Sequence, residues 1–494
     1  MGSTECSPVL AKYDFRSKQQ YIYRTNALRE IAGASAIITD AYDGFLDECI
    51  RNGWKIGKHY TLSAWPDRYY LNSADEPFEP DFEENDGEVI CVGGGNLYIL
   101  WKNRETALEA NRLLCSYLRN VSYGLSPVCG LAKYTGDYDL DIGNLNMDFD
   151  WMKGTVPPVQ FSAVLPFTLL DRNTGLPVAE KRHVHGETME LSAESACKLN
   201  KYETLASGFS SNEEELDRIV TEKGKESLLA VIYIDGNNMG ARVREAMRPG
   251  NEGIHDYAVA VRTIRQLSNT VQERFVSSPR KAIEAMLNGK NSRYRFVVAG
   301  GDEITLICNA REALNVVQTY FDDLDTNNRE GESYHTACAG ICVFHSHYPF
   351  SSAYAVAEEC CENAKKANRA CGGHNCLVDF QHCFGGNVGD LIAMREKDRA
   401  DLLLRPYLCR HYGEDRVPLP PALSEYMERG RKLSGLGRHN IKALSGYLVS
   451  DPARYETEIQ RLGARYPDVS VDGEDKRFLH DIAQFYDIWF GKEE

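Results

Sequence analysis

The sequence predicts an α/β protein of the α+β kind, a sheet with helices on one face that occurs twice in tandem, followed by a helical region. Three observations carry this. A buried strand delivers an acid at Asp235, a hairpin turns at Gly300 and Gly301, and a diluted copy of that hairpin stands at Gly93 and Gly94, an offset of 207 residues.

The strand is read from SLLAVIYIDGNNMG, residues 227 to 240, where an apolar run with β-branched members stops at Asp235, Gly236 and two asparagines. YRFVVAGGDEITLIC, residues 294 to 308, joins two apolar runs through Gly300, Gly301, Asp302 and Glu303, the pattern of a β-hairpin. Helical spacing fills residues 257 to 288 and Ala310 to Leu324. A further strand and loop follow in HTACAGICVFHSHYPF, then a helix from about Ser351 to Ala370.

Upstream, VICVGGGNLYIL repeats the hairpin pattern, the same offset sets Arg104 and Glu105 on Arg311 and Glu312, and SYGLSPVCGLA resembles SYHTACAGIC. The copies differ in chemistry: Gly95 and Asn96 stand where the second copy has Asp302 and Glu303. The acid-rich stretch from Asp75 to Glu88 reads as a solvated loop. These signals divide the chain into a first domain at 1–185, a connector at 186–226, a second domain at 227–385 and a helical region at 386–494, with a Pro-rich hinge at 417–421.

The 494 residues allow several domains, and 43% hydrophobic with 10% aromatic residues make a folded chain. A net charge of −16 repels phosphate backbones and excludes nucleic-acid binding over the whole surface, leaving room only for a local basic cleft. The apolar run Leu228–Ile234 is far below the roughly 18 residues that cross a bilayer. The opening MGSTECSPVL has no export signal, and Cys6 stands where a myristoylation motif wants Ser or Thr. Fifteen scattered cysteines read as reduced thiols, so a cytoplasmic protein without membrane contact is expected.

If the hairpin pairs beside the Asp235 strand, Asp235, Asp302 and Glu303 converge at one sheet edge. Like charges raise each other's pKa unless a cation neutralises them, and hard oxygen ligands select Mg²⁺ or Mn²⁺. Two such ions roughly 4 Å apart suit nucleotidyl transfer. Gly300 and Gly301 let a nucleotide approach the backbone. Other clusters carry less. Cys371, His374, Cys376, His382 and Cys383 fit no zinc spacing, His255-Asp256 and His480-Asp481 lack companion ligands, and the basic stretch Arg429–Lys442 reads as a solvated helix face.

At these residues the sequence resembles the palm-type polymerase and cyclase domains shared by GGDEF-type diguanylate cyclases and the large polymerase subunit of type III CRISPR effector complexes. YIDGNNMG is similar to the first metal-binding strand, AGGDEI to the catalytic hairpin, and AEECCENAKKANR to the helix that follows, with Ala364 and Lys365 on its Ala-Lys pair. QYIYRTNALREIAGASAIIT and the GGGN at 93–96 are similar to the opening helix and hairpin of a non-catalytic first palm. The likeness spans about residues 10 to 385 and implies tandem ferredoxin-like palm domains, the second one active.

It implies that Asp235, Asp302 and Glu303 are catalytic and hold two Mg²⁺ or Mn²⁺ ions. By the same resemblance Gly236, Asn237, Asn238, Gly240, Gly300, Gly301, Lys365 and Lys366 bind nucleotide, and a Gly-Ala-Ser turn with Gly33 and Ser35 lines a second nucleotide site with Gly94, Gly95 and Asn96. Three departures stand out. The chain begins almost at once with the first palm, so no nuclease domain or DNase activity is expected. Cys197 is alone between Cys129 and Cys308, so the inter-palm cysteine cluster is not expected either. The hairpin reads Asp-Glu, as in diguanylate cyclases, where the CRISPR polymerases usually have Asp-Asp.

The implied activity is conversion of nucleoside triphosphates, ATP foremost, into cyclic oligonucleotide or dinucleotide second messengers with pyrophosphate release, in antiviral defence signalling. An activating RNA or protein and a homo-oligomer are compatible with it. The alternative is a non-catalytic nucleotide-sensing or scaffold subunit of an RNA-guided complex; the acid set retained in the second copy favours catalysis. Cyclic-di-GMP synthesis fits the tandem copies less well.

Overall fold

Strand β1 (Val9–Arg16) alternates buried and half-buried residues, as a strand covered on one face should. It opens the computed structural model, which describes residues 7–57, 78–93, 95–155, 165–184, 187–206, 219, 228–328, 334–383, 390–397, 399–413, 417–466 and 475–491. Chain contacts divide the protein into two units. The first runs to Phe209 and takes in Asn238–Val276 and Gly300–Asp302; the second holds the remainder.

In the first unit β1 leads into the short helix α1 (Lys18–Ile22) and the long helix α2 (Leu28–Arg51). The hairpin β2 (Gly87–Gly93) and β3 (Asn96–Trp101) follows, then helix α3 (Arg104–Val121), strand β4 (Ser126–Lys133) and helix α4 (Tyr138–Thr155). The sheet order is β2-β3-β1-β4. Asn103 caps α3 by accepting from the Thr106 amide at 2.9 Å, which explains why that helix starts where it does.

A second hairpin, β5 (Val178–Val184) and β6 (Glu187–Ser192), runs into helix α5 (Ala193–Ala206). Residue 185, where the first domain is expected to end, lies in sequence between these two paired strands and outside the described residues. Polar side chains tie this segment to α2: Ser195 donates to Glu30 at 2.9 Å and to Asp171 at 2.6 Å.

Strand β7 (Leu228–Gly236) begins the second copy, followed by α6 (Met239–Met247) and α7 (Tyr257–Val271). These two helices belong to the first unit. Arg265 of α7 is fully buried and donates to the carbonyls of Ile90 and Val89, both at 2.7 Å, closing polar groups on edge strand β2. The helix expected over 257–288 is interrupted by a π-helical turn at Gln272–Ser277 before α8 (Ser278–Gly289).

The second unit continues with β8 (Tyr294–Gly300), β9 (Glu303–Asn309), helix α9 (Ala313–Thr326), β10 (Ala337–His345), helix α10 (Phe350–Ala370) and β11 (Asn375–Cys383). Four of its six strands lie in the order β10-β7-β9-β8. That is the hairpin, first strand and fourth strand order of the first sheet, so the repeat read in the sequence recurs as topology. After helix α11 (Leu391–Lys397) comes β12 (Tyr407–His411), which pairs antiparallel with β11 and forms the sheet's edge. The C-terminal region, helical as expected, thus also supplies one strand. Its five residues, YLCRH, are too short and too polar to signal one.

Helices α12 (Leu423–Leu433), α13 (Arg438–Ser450), α14 (Pro452–Arg465) and α15 (Asp475–Phe485) complete this unit. His382 on β11 lies beside them, and burial, followed by the charges of Lys442 and Arg405, pulls its pKa down from 6.5 to about 4. Below pH 6.5 the unfolded chain binds the proton that the folded chain refuses. Stability from this group is therefore fully present above pH 6.5 and is lost as the pH falls towards 4, by up to about 3 kcal/mol. Urea midpoints of His382→Gln and wild type should converge at pH 4.5 relative to their difference at pH 7; parallel losses would contradict the assignment.

Candidate active site

β7 is central because LLAVIYI offers no charge or proline to either face, so neighbours cover both; its first charged side chain, Asp235, ends the run. The register with β9 sets Asp235 directly opposite Glu303, and the register with β10 sets it opposite Cys338. Asp302 precedes Glu303 in the turn, where Gly301 takes a φ of 68° that favours glycine. Asp302 and Glu303 are both half-exposed. Thr305, two residues on, donates to a Glu303 carboxylate oxygen at 3.3 Å.

Helix α10 delivers the cation. Lys365 Nζ hydrogen-bonds to the Asp235 carboxylate, with only 13% of the lysine side chain and 24% of the aspartate side chain exposed. Gly340 on β10 sets the distance of this helix. A Cβ there would lie 1.9 Å from the Ala357 carbonyl oxygen and 2.5 Å from the Cys361 nitrogen, so only glycine lets α10 rest on the sheet. Cys361 in turn donates to the Cys338 carbonyl at 3.2 Å, one helical turn before Lys365. Gly340→Ala should cost about 1–3 kcal/mol through this overlap and lift Lys365 from Asp235. Denaturant unfolding checks the first effect, and an unchanged midpoint would remove Gly340 from the account.

Charge dominates the site. Burial lowers the Lys365 pKa, but the adjacent Asp235 charge and hydrogen bond outweigh it, and the ammonium is held above its ordinary value. Tyr233 lies on the same face of β7, two residues before Asp235. Burial, then the charges of Glu303 and Asp235, push its hydroxyl far above its ordinary pKa, so it stays protonated. Among the described residues no three His, Cys, Asp or Glu side chains are gathered closely enough to chelate one ion as they stand, and the Asp235 carboxylate is turned to Lys365.

The other expected residues fall in different places. Gly236 is buried, Gly300 is exposed and a Cβ there would meet nothing within 4 Å. Asn237 is buried, and its side-chain amide donates to the Thr336 hydroxyl and the Asn375 carbonyl, each at 3.1 Å, which fastens the end of β7 to its neighbours. Asn238 and Gly240 are exposed at the start of α6, Asn238 with a φ of 58°. Lys366, the next residue of α10, is exposed.

In the first copy the expected Gly-Ala-Ser turn is instead the interior of α2. Gly33 is a packing glycine there, since a Cβ would stand 1.9 Å from the Lys198 carbonyl oxygen of α5, and Ser35 is buried. Gly-Ala-Ser reads as a turn only until a second helix is laid against it. Gly94 lies outside the described residues. Gly95 has a φ of 72°, and its carbonyl accepts from Lys18 at 3.2 Å and Tyr42 at 3.3 Å.

Sequence reasoning missed Asp14. Tyr13 pairs with Leu97, so one further step sets Asp14 opposite Asn96, the place Asp235 has opposite Glu303. Asp14 is paired with Lys18 at 2.6 Å and Lys153 at 3.6 Å. The sequence signal was present: an acid near the end of the first strand of each copy. In the C-terminal basic stretch, Arg429 pairs with Glu425 and Lys432 with Glu428, both at 2.7 Å, and Lys442 with Asp487 at 3.4 Å, which spends much of its charge internally.

No described helix is long and apolar enough to cross a membrane. The described cysteines are free thiols, most of them buried. Residues 228–372 match the family model of the Cas10/Cmr2 second palm domain. No curated protein matches the chain. Among solved structures, the fold is similar to a chain of the Csm1–Csm4 cassette in complex with pppApA, at a TM-score of 0.52 and 13% identity over 97% of this chain and 70% of that one. The cassette in complex with cA4 gives 0.51 and 12% over 97% and 69%, and the cassette in complex with cA3 gives 0.50 and 12% over 99% and 70%. Residues 228–372 thus match a Cas10/Cmr2-type second palm domain, and along nearly its whole length the fold is similar to a chain of the Csm1–Csm4 cassette.

Proposed function

We propose that the protein is a palm-type nucleotidyl cyclase that joins nucleoside triphosphates, ATP foremost, into cyclic oligonucleotide or dinucleotide second messengers in defence signalling. The observation that carries this reading is the pairing of Asp235 with Glu303 on adjoining strands, with Asp302 next in the chain and Lys365 above them. The relatives seen with pppApA, cA3 and cA4 support the substrate class, and their Csm4 companion supports a protein partner.

In each step a ribose hydroxyl releases its proton to solvent as its oxygen bonds to the α-phosphorus of a second nucleotide, the P–O bond from that phosphorus to the bridging oxygen breaks, and pyrophosphate leaves with the electron pair. The last such step closes the ring. Asp235, Asp302 and Glu303 are carboxylates at a half-exposed strand edge, the ligand type that Mg²⁺ and Mn²⁺ prefer, and they would hold those ions. Bound there, two divalent ions supply a lowered hydroxyl pKa and charge neutralisation for the leaving pyrophosphate. Lys365 neutralises triphosphate charge from the helix side. Gly300 and Gly301 leave room for a nucleotide against the turn.

The test is incubation with each nucleoside triphosphate and Mn²⁺ or Mg²⁺, with products resolved by chromatography and mass spectrometry beside Asp302→Ala. A cyclic product absent from the variant is expected. Product from both proteins alike overturns the assignment. Silence that persists with added RNA and with a Csm4-type partner turns the reading to the nucleotide-sensing scaffold.

A further inference from the structure

Lys365 and a divalent ion need the same carboxylate. Among the described residues the cation hydrogen-bonded to the Asp235 side chain is the Lys365 ammonium, and that ammonium is held by architecture rather than by chance. Gly340 lets α10 approach to backbone contact, Cys361 bonds to the strand beneath, and Lys365 follows one turn later with 13% of its side chain exposed. A surface ion pair of two long side chains would be loose and worth little. Here the helix backbone itself places the charge.

Resting on the metal-dependent reading above, we propose that Lys365 competes with the divalent ion for Asp235, and that a nucleotide's triphosphate, by drawing the lysine away, couples nucleotide binding to metal binding. A monocation and a dication cannot share one carboxylate oxygen without strong repulsion. For an ion to take Asp235, the Lys365 ammonium that sits on its carboxylate has to be displaced or attracted elsewhere. The triphosphate is the strongest anion that enters such a site, and it offers the ammonium more negative charge than one carboxylate does.

The first copy shows the alternative outcome of the same arrangement. Asp14 is paired with Lys18 and Lys153, while Gly95 and Asn96 replace the hairpin acids, so no second carboxylate is set opposite to favour an ion over the lysines. The second copy keeps Glu303 opposite Asp235, and the competition stays balanced enough to switch.

The test is Mn²⁺ binding to the full chain without nucleotide, followed by loss of the free-ion signal in electron paramagnetic resonance. Lys365→Met should bind Mn²⁺ about tenfold or more tightly than wild type, Lys365→Arg should remain near wild type, and Lys365→Met/Asp235→Asn should lose the gain. Lys365→Gln repeats the first arm in case the methionine variant misfolds. Equal or weaker binding by both neutral variants overturns the competition, even where the wild type makes a cyclic product. Absence of Mn²⁺ binding in every protein together with absence of product overturns the cyclase reading as well.

Discussion

Asp235→Asn is expected to lower cyclic product formation by at least about 10³-fold, the scale of losing a principal electrostatic contact in a site where charge is held at close quarters. The replacement keeps the side chain's shape at the end of β7 and removes only its charge. Glu303 then faces a neutral neighbour, and Lys365 loses its counter-ion. The ion pair is mostly but not wholly buried, so the stability cost should be modest, about 1–2 kcal/mol, below that of breaking a fully buried pair. Initial rates by mass spectrometry and urea midpoints separate the two effects. Loss of activity with a collapsed fold would assign Asp235 to structure, and retained synthesis would remove it from the active site.

Asp481→Ala is expected to give the largest loss of stability, about 3–5 kcal/mol. One Asp481 oxygen accepts from the Leu404 amide at 3.1 Å, the Arg405 amide at 3.2 Å and the Tyr407 hydroxyl at 2.7 Å. The other faces the Arg405 guanidinium at 3.7 Å, with both side chains wholly buried. Arg405 stacks between Phe380 and Phe485, 5.4 Å from each ring centroid, and also bonds to Gln381 and Gln484. Removing the carboxylate strands a buried cation and three donors at the point where β12 and α15 meet. Denaturant unfolding and amide exchange in α15 report it; a loss under about 1 kcal/mol would show that this cluster does not fasten the C-terminal helices.

The strand ending in Asp235, the Gly-Gly hairpin, the helix bearing Lys365 and the duplication were all legible, because each is a local pattern of apolar spacing broken by turn residues. Four features were not. β12 is a strand because β11 offers it an edge, not because YLCRH prefers one. Gly33 and Gly340 look like flexible glycines until the backbone that each one admits is known. Asn237, expected at a nucleotide, has its amide committed to Thr336 and Asn375, which lie 99 and 138 residues away.

Residue type and short-range spacing thus singled out the side chains proposed to carry the chemistry: the three acids and the lysine, with the hairpin acids missing from the first copy. Register and packing decided their relations. Asp235 stands opposite Glu303 through pairing across 68 residues, and Lys365 reaches Asp235 across 130 because a missing Cβ lets one helix lie against one strand. Such contacts depend on distances in space that no local period of the chain encodes, and so only the tertiary structure could set the charge of the lysine against the charge of the acid.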